Sequence, residues 1–293
     1  MFQETPLEKS KRGKPIIDSK ASIKMTDIVY PTLLQLSKTK VKHKVVRDNK
    51  INLIPEKPII FAVNHTRFQD TPVICTAIRD ELKKRGYVFS GKQKLGFLDN
   101  IFFYFYGSLF LDRTSKEDMA MAQKAMEEYL LKDKIMIVFP EGTWNMSDEL
   151  LMLPMKWGII KTAQNTDAQI IPTILHYDNQ TMKCHVSFGE PRQVPKDANL
   201  KQEIDDLRDV MASMRFEYME KTGTVLRETI DIEEERKKIF HVIEEYPNYD
   251  YDFEQSFVYR PYESPESVFA HTKKLIPNRN NAFLFNKRNS GTR

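Results

Sequence analysis

Residues 59–70 have the sequence IIFAVNHTRFQD, in which five apolar residues run directly into a segment containing a His and an Asp. A short apolar run before a turn predicts a buried strand, here over residues 58–63. Ile74, Ile78 and Leu82 then recur at helical spacing and predict a helix over residues 71–85, with Gly86 as its left-handed cap. Polar side chains at such a strand-to-helix junction face ligands.

The same alternation of short apolar runs and helical patterns continues along the chain. Ser115, with Asp118 three residues later, predicts the start of a helix, and Met119, Met126 and Leu130 predict its buried stripe. Strands are predicted over residues 109–112, 135–139, 169–175 and 184–188, and helices over residues 115–131 and 156–163. Alternating strands and helices over residues 42–195 predict a layered α/β fold.

The first 41 residues differ from this central region. Residues 1–24 are polar and basic and predict a mobile tail. Thr26 predicts the cap of a short helix with a broad apolar face, formed by Ile28, Val29, Leu33, Leu34 and Leu36. The lysines that follow, Lys38, Lys40, Lys42 and Lys44, favour an anionic lipid surface, although packing against the core is the alternative.

The C-terminal part from residue 196 also has a different character. It predicts long charged helices over residues 200–221 and 232–245, followed by a stretch rich in Tyr and Pro over residues 246–267. We therefore predict three regions: a basic tail and membrane-surface helix (1–41), a catalytic domain (42–195) and a C-terminal extension (196–293).

Composition excludes several classes of protein. With 293 residues, 41% hydrophobic and 29% charged, the chain is an ordinary globular protein. It has neither a run of roughly 18 apolar residues nor the apolar core of a signal peptide, which predicts a cytoplasmic protein. Cys75 lies in an apolar helical pattern and predicts a buried structural thiol. No nucleic-acid motif accompanies the basic residues, so nucleic acid is not an expected partner.

His65 and Asp70 are the candidate catalytic pair. Residues five apart on a straight helix are separated by about 140° of rotation, so the two side chains meet only if His65 lies in a turn and Asp70 enters the helix. Asp70 would then fix the imidazole tautomer and leave the other nitrogen to accept a proton from a substrate hydroxyl. The alternative is a structural pair in a polar turn.

No Gly-x-Ser-x-Gly elbow and no reactive cysteine accompany this pair, which favours direct transfer over an acyl-enzyme. Two further polar segments follow apolar strands. In GSLFLDR (residues 107–113), Arg113 suits a phosphate group. In FPEGT (residues 139–143), Gly142 allows close backbone approach and Glu141 can hold a polyol hydroxyl, although a strand-ending turn is the alternative.

Together with Ile170-Ile171-Pro172, these segments occur in the order of the glycerolipid acyltransferase family, and the chain resembles bacterial lysophosphatidic acid acyltransferases. The resemblance covers residues 42–195 and implies a mixed, mostly parallel sheet flanked by helices. It implies that His65 deprotonates the acceptor hydroxyl with support from Asp70, and that no metal or cofactor is required. The residues implied to bind the acceptor are Lys92, Arg113, Glu141, Gly142 and Thr143.

The resemblance also implies the substrates. The acyl donor would be a thioester of acyl carrier protein or coenzyme A, the acceptor a lysophospholipid, and the location the cytoplasmic face of a membrane. With lysophosphatidate as acceptor, the product is phosphatidate.

One departure bears on the acceptor. Trp144 stands where family members commonly have Arg, and Asn145 follows in place of a Ser. Lys92, Lys94 or Lys156 can supply the missing charge, and another lysolipid or glycerol-phosphate acceptor is an alternative.

Two other functions remain open from the sequence. A metal-dependent hydrolase could use His65 and Asp70 with His176, Asp178 or His185, because imidazole and carboxylate suit several metals. A lipid-binding module could keep the fold without catalysis. Apolar residues over 97–106 and 150–155 could contact acyl chains or belong to the core.

Overall fold

The computed structural model describes residues 3–38, 41–92, 100, 101, 103, 104, 107–145, 151–178 and 181–223, together with residues 231, 233, 234 and 237. Within these ranges the strands are β1 (Lys44–Arg47), β2 (Ile59–Val63), β3 (Gly86–Gly91), β4 (Leu109–Leu111), β5 (Ile135–Val138), β6 (Gln169–Asp178), β7 (Lys183–Phe188) and β8 (Arg192–Gln193). The helices are α1 (Pro6–Lys11), α2 (Lys20–Lys38), α3 (Asp70–Leu82), α4 (Lys116–Leu130), α5 (Gly158–Thr166) and α6 (Leu200–Thr222). The stretch predicted over residues 246–267 lies outside them.

The strands form one mixed sheet in the order β1-β7-β6-β2-β5-β3-β4, and β8 pairs with β6. Strands β6, β2, β5, β3 and β4 are mutually parallel, whereas β7 and β8 run antiparallel to β6. The segments that follow β2, β3, β4 and β5 therefore emerge at one edge of the sheet. This edge carries the polar segments singled out in the sequence.

Both faces of the sheet are covered, because alternate residues of each strand point to opposite sides. On one face Phe61 and Val63 pack against Ile74 and Ile78 of α3. On the other face Ile60 and Ala62 belong to the core that includes α4, α5 and α6. The fully buried run from Ile60 to Val63 is typical of a central parallel strand. The predicted α/β architecture is confirmed.

Most predicted elements of the central region are confirmed, with some differences. Strands β1, β3 and β8 were not predicted. Lys83, at φ 56°, adopts the left-handed conformation that ends α3, whereas Gly86 begins β3, so the predicted cap is wrong. The Ser115 side chain accepts a hydrogen bond from the amide of Asp118 and caps α4 as predicted, but Met119 is exposed, and Ala122 and Ala125 are buried with Met126 and Leu130.

The N-terminal residues do not form the predicted mobile tail. Thr5 and Glu8 form a reciprocal capping box at the start of α1. The Asp118 side chain of α4 accepts the amide hydrogen of Leu7 (3.2 Å), and Ile17 is buried in the core. Local capping and hydrogen bonds across to α4 thus hold a polar segment that carries little apolar periodicity.

Helix α2 begins at Lys20 and not at the predicted Thr26, whose hydroxyl donates to the Ile23 carbonyl. Tyr30 and Leu34 are buried in the core that contains α3, whereas Met25, Ile28 and Leu36 are exposed. The predicted apolar face is therefore divided between the core and solvent.

No helix in the described ranges is both long enough and apolar enough to span a membrane.

Candidate active site

The segment after β2 carries the first site residues, and Asn64 anchors it. The Asn64 side chain donates to the Leu175 carbonyl (3.1 Å) and accepts from the Leu175 amide (2.7 Å) on the neighbouring strand β6. Because Asn64 is buried and satisfied in both directions, the chain leaves the sheet in a fixed direction. His65 follows immediately.

His65 and Asp70 are in direct contact. His65 Nδ1 lies 2.9 Å from Asp70 Oδ2, with His65 in the turn and Asp70 as the first residue of α3. The Asp70 side chain is fully buried, and the His65 side chain is 15% exposed. The turn thus folds back as the five-residue spacing required. If Nδ1 carries the hydrogen that Asp70 accepts, Nε2 is the nitrogen that can accept a proton.

Other donors converge on the Asp70 carboxylate. The amides of Thr66 (2.6 Å) and Arg67 (2.9 Å) donate to Oδ2, and the Tyr177 hydroxyl donates to Oδ1 at 2.6 Å. The Arg67 guanidinium lies 3.9 Å from the centre of the Tyr177 ring. Burial and the nearby Asp70 charge raise the Tyr177 pKa well above its usual range, which keeps the phenol a hydrogen-bond donor. Asp70 is held in one orientation.

The His65 ring is fixed by two aromatic side chains. It stacks on Phe139, with ring centroids 4.1 Å apart, and the Trp144 ring meets it edge-on at 5.9 Å. The amide of Asn145 donates to the His65 carbonyl (2.6 Å). Trp144 is 4% exposed. The residue that departs from the family pattern is therefore part of the wall around the imidazole.

Glu141 lies beneath this pair and not in an open acceptor site. Its Oε1 accepts the amide hydrogen of His65 (2.9 Å), and its Oε2 accepts that of Leu153 (2.7 Å). The side chain is fully buried, and burial raises its pKa to about 7 despite the two amide donors and the Arg215 charge. The partners of Glu141 are backbone groups of two site segments, which differs from the polyol contact that we predicted.

Cationic side chains meet at the Gly142 turn, where Gly142 has φ 74°. Arg113 Nη1 donates a hydrogen bond to the Gly142 carbonyl. The Lys156 side chain lies alongside, since a Cβ added to Gly142 would be 3.8 Å from Lys156 Cγ. Its backbone amide donates to the Pro140 carbonyl (2.8 Å). Arg113 and Lys156 thus lie next to the Gly142 turn. This turn follows β5, the strand that pairs with β2.

Lys92 follows β3, next to the strand that delivers Arg113. Its Nζ lies 2.6 Å from Glu8 Oε1 of α1, and both side chains are about two-fifths exposed (42% and 41%). Gly91, which precedes it, leaves room for Arg113, because a Cβ there would lie 2.4 Å from Arg113 Nε. Thr143 is half-buried in the turn. Lys94 lies outside the described residues.

The proposed metal ligands His176 and His185 are placed differently. Both rings pack against Tyr218 of α6, at 4.1 and 5.4 Å between centroids, and His185 Nδ1 lies 2.7 Å from Asp48 Oδ1. Burial and the nearby Arg215 charge lower the His176 pKa to about 4. In the part of the chain that the structure describes, no three His, Cys, Asp or Glu side chains form a group suited to a metal ion. The predicted alternative ligand set is therefore not assembled there.

Comparison with known proteins bears on this arrangement. Residues 44–176, which contain His65, Asp70, Arg113 and Glu141, match the family described as Acyltransferase. The match covers somewhat less than half of the chain. The chain is 27% identical over 125 residues to the 1-acyl-sn-glycerol-3-phosphate acyltransferase of Saccharomyces cerevisiae, a match that covers 42% of this chain and 40% of that protein.

A solved structure shares the fold of this chain. The crystal structure of the 1-acyl-sn-glycerophosphate (LPA) acyltransferase PlsC from Thermotoga maritima matches it with a TM-score of 0.53 at 18% sequence identity. The match covers 71% of this chain and 86% of that chain. At this identity the similarity concerns the fold. The resemblance deduced from the sequence segments is confirmed at the level of the family.

Several residues that shape the candidate site were not predicted. Tyr177 reaches Asp70 from the end of β6, and Arg215 of α6 acts on Glu141. Both lie beyond the residues that match the family. A tyrosine on a strand and an arginine on a charged helix carry no local signature of such contacts, because the partners are about 75 to more than 100 positions away in the sequence.

Proposed function

We propose that this acyltransferase moves an acyl group from acyl carrier protein or coenzyme A to the free hydroxyl of lysophosphatidate, giving phosphatidate. The observation that carries the proposal is the 2.9 Å contact between His65 Nδ1 and a fully buried Asp70 carboxylate, beside two cations at the Gly142 turn. This arrangement supplies a general base and a phosphate-binding charge within one sheet edge.

In the proposed reaction, His65 Nε2 accepts the proton of the acceptor hydroxyl as its oxygen attacks the thioester carbonyl carbon. The bond between that carbon and sulfur breaks, the new ester forms, and the thiol leaves with the proton returned by His65. Asp70 stabilises the imidazolium that forms between these steps. The rigid hydrogen bonding of Asp70 by Thr66, Arg67 and Tyr177 keeps the imidazole directed towards the acceptor.

For the head group we propose Arg113 and Lys156 as the nearest phosphate ligands, with Lys92 at the rim. A guanidinium and an ammonium at one turn suit a phosphate monoester, which carries close to two negative charges at neutral pH. Glu141 and Gly142 would act by shaping the turn, since the Glu141 carboxylate bonds to backbone amides. Because Trp144 contributes no charge, another lysolipid with a phosphate near the hydroxyl remains the alternative acceptor.

We also propose that the enzyme works on the cytoplasmic surface of an anionic membrane. Met25, Ile28 and Leu36 of α2 are more than half exposed, with Ile28 at 71%. The Arg85 guanidinium fixes α2 to the core through Thr26 (2.7 Å) and Asp27 (3.0 Å). A helix held in this way presents its exposed apolar side chains in a defined direction, as interfacial helices do.

The test uses the full chain on vesicles with lysophosphatidate and an acyl thioester, with products identified by mass spectrometry. We expect phosphatidate and free thiol in equal amounts, without added metal and with no inhibition by a chelator. His65→Ala should lower kcat by at least about a thousandfold. Lys201→Met, at an exposed position of α6, is the matched control. Free fatty acid as the main product, or wild-type turnover in His65→Ala, would reject the proposal.

A further inference from the structure

The segment 151–153 connects the active site to α6, a helix beyond the residues that match the family. Arg208 donates to the Met152 carbonyl through Nε (3.3 Å) and Nη2 (3.0 Å). Arg215 Nη1 donates to the Leu151 carbonyl at 2.5 Å. Seven residues, about two helical turns, separate the two arginines, so they lie on the same side of α6. Two consecutive carbonyls are thus held by two guanidinium groups of one helix.

The next residue of the segment reaches the catalytic pair. The Leu153 amide donates to Glu141 Oε2 (2.7 Å), and Glu141 Oε1 accepts the amide hydrogen of His65 (2.9 Å). The Asn145 side chain donates to the Leu151 carbonyl (3.3 Å), while the Asn145 amide donates to the His65 carbonyl (2.6 Å). The His65 amide is therefore linked through Glu141, and the His65 carbonyl through Asn145, to the segment 151–153 that α6 holds.

Helix α6 is itself firmly seated. Ile204, Leu207 and Met211 are buried and belong to the same core as Ile60 and Ala62 of β2. The Asn199 side chain caps the helix by accepting the amides of Lys201 and Gln202. An anchored helix can fix the position of what its side chains hold, whereas a loop alone leaves a site imprecise.

We propose that Arg208 and Arg215 are positioning residues, which set the backbone of His65 through residues 151–153, Glu141 and Asn145. The inference rests on the proposed acyl transfer at His65. Displacements of about 1 Å in a catalytic group can cost about a hundredfold in rate, so loss of this support should appear in kcat. The hydrogen bonds of the two arginines described above go to the carbonyls of Met152 and Leu151 and not to the proposed phosphate ligands, so the KM for the acceptor should change little.

Charge gives Arg215 a second effect that Arg208 lacks. Arg215 lowers the pKa of the buried Glu141 carboxyl, which burial holds at about 7, while Asp70 raises it. Replacing Arg215 by Met therefore raises the Glu141 pKa further and protonates more of it at neutral pH. A protonated Glu141 carries a hydroxyl on one oxygen, which weakens one of its two amide hydrogen bonds. The charged groups facing Glu141 are Arg215 from α6 and Asp70 from α3.

The experiment compares the kcat, the acceptor KM and the pH profile of kcat for Arg215→Met, Arg208→Met and Lys201→Met in the full chain. We expect kcat to fall about tenfold or more in both arginine variants, with KM changed less than about threefold. The acidic limb of the profile should move to higher pH in Arg215→Met only, because only this variant removes the charge that lowers the Glu141 pKa. Lys201→Met should match the wild type.

Thermal unfolding separates positioning from loss of the fold. A folded Arg215→Met with wild-type kcat and pH profile overturns the inference. So does a fall in the kcat of the arginine variants that is no larger than the fall in the control Lys201→Met. If Arg215→Met does not fold, Arg208→Met and Arg215→Lys decide, and wild-type kcat in both overturns it. Failure of the proposed function is distinct, because His65→Ala would then retain the wild-type rate.

Discussion

The Tyr177 hydroxyl donates a 2.6 Å hydrogen bond to Asp70 Oδ1, whereas His65 contacts the other carboxylate oxygen, Oδ2. Oδ2 receives His65 and two backbone amides, whereas Oδ1 has Tyr177 as its close donor and Thr66 Oγ1 at 3.5 Å. The phenol therefore decides whether the buried carboxylate is satisfied on both oxygens. It links the end of β6 to the first residue of α3.

Tyr177→Phe should lower both stability and kcat. Removing the hydroxyl leaves a buried carboxylate oxygen without its close donor, which costs about 1–3 kcal/mol. The carboxylate can then rotate, so we expect kcat to fall about three- to tenfold while the acceptor KM is retained. The free energy of unfolding from urea titration and the steady-state rate on vesicles measure the two effects.

Tyr129→Phe is the matched control for this prediction. Tyr129 is also buried and its hydroxyl bonds to Asp18, but this contact lies at α4 and not at the site. Its loss should reduce stability while leaving kcat unchanged. If Tyr177→Phe likewise loses only stability, Tyr177 has no part in orienting the pair.

The sheet and most helices follow from local patterns in the sequence. Short, fully apolar runs such as Ile135–Val138 are typical of strands covered on both faces, and segments with helical spacing separate these runs. Strand β3 escaped prediction because its first residue, Gly86, was assigned as the cap of the preceding helix, so no strand was expected directly after it. The N-terminal residues were misjudged because capping and ion pairs, and not an apolar stripe, dock α1.

The candidate site was partly predictable for a topological reason. His65, Arg113 and Gly142 each follow a parallel strand, and the carboxyl ends of such strands meet at one edge. The burial of Glu141, and the contacts from Tyr177 and Arg215, depend on the tertiary packing of segments far apart in the chain. Sequence spacing carries no information on such contacts, so the support of the His65–Asp70 pair became visible only in three dimensions.

Gly91→Ala should impair acceptor binding through Arg113. The added Cβ would lie 2.4 Å from Arg113 Nε and 2.8 Å from its Cζ, so the guanidinium must move away from the Gly142 carbonyl. We expect the KM for lysophosphatidate to rise about tenfold, with a smaller change in kcat, because Arg113 is proposed to bind the head group and not the reacting hydroxyl. Steady-state kinetics with varied acceptor on vesicles measure this.

Two controls accompany Gly91→Ala. Gly158→Ala adds a Cβ that meets no atom within 4 Å and should leave the kinetics unchanged. Arg113→Met combined with Gly91→Ala should behave like Arg113→Met alone, since both changes remove the same contact. Additive effects in the double variant, or a wild-type KM in Gly91→Ala, would show that Arg113 does not mediate the effect.

Glu141 should make the stability of the protein fall as pH rises. Burial raises its pKa from the usual 4.5 to about 7, so between these values the folded state retains a proton that the unfolded chain has released. The contribution of Glu141 to stability is thus full below about pH 4.5, declines as pH rises to about 7, and is constant above that. The shift corresponds to a loss on the order of 3 kcal/mol.

Urea titrations at several pH values between 4 and 8 should show that Glu141→Gln lacks this decline, while Glu128→Gln, at a half-exposed position, retains it. Parallel pH profiles of stability in wild type and Glu141→Gln would mean that the carboxyl is ionised throughout this range, held so by Arg215 and its two amide donors.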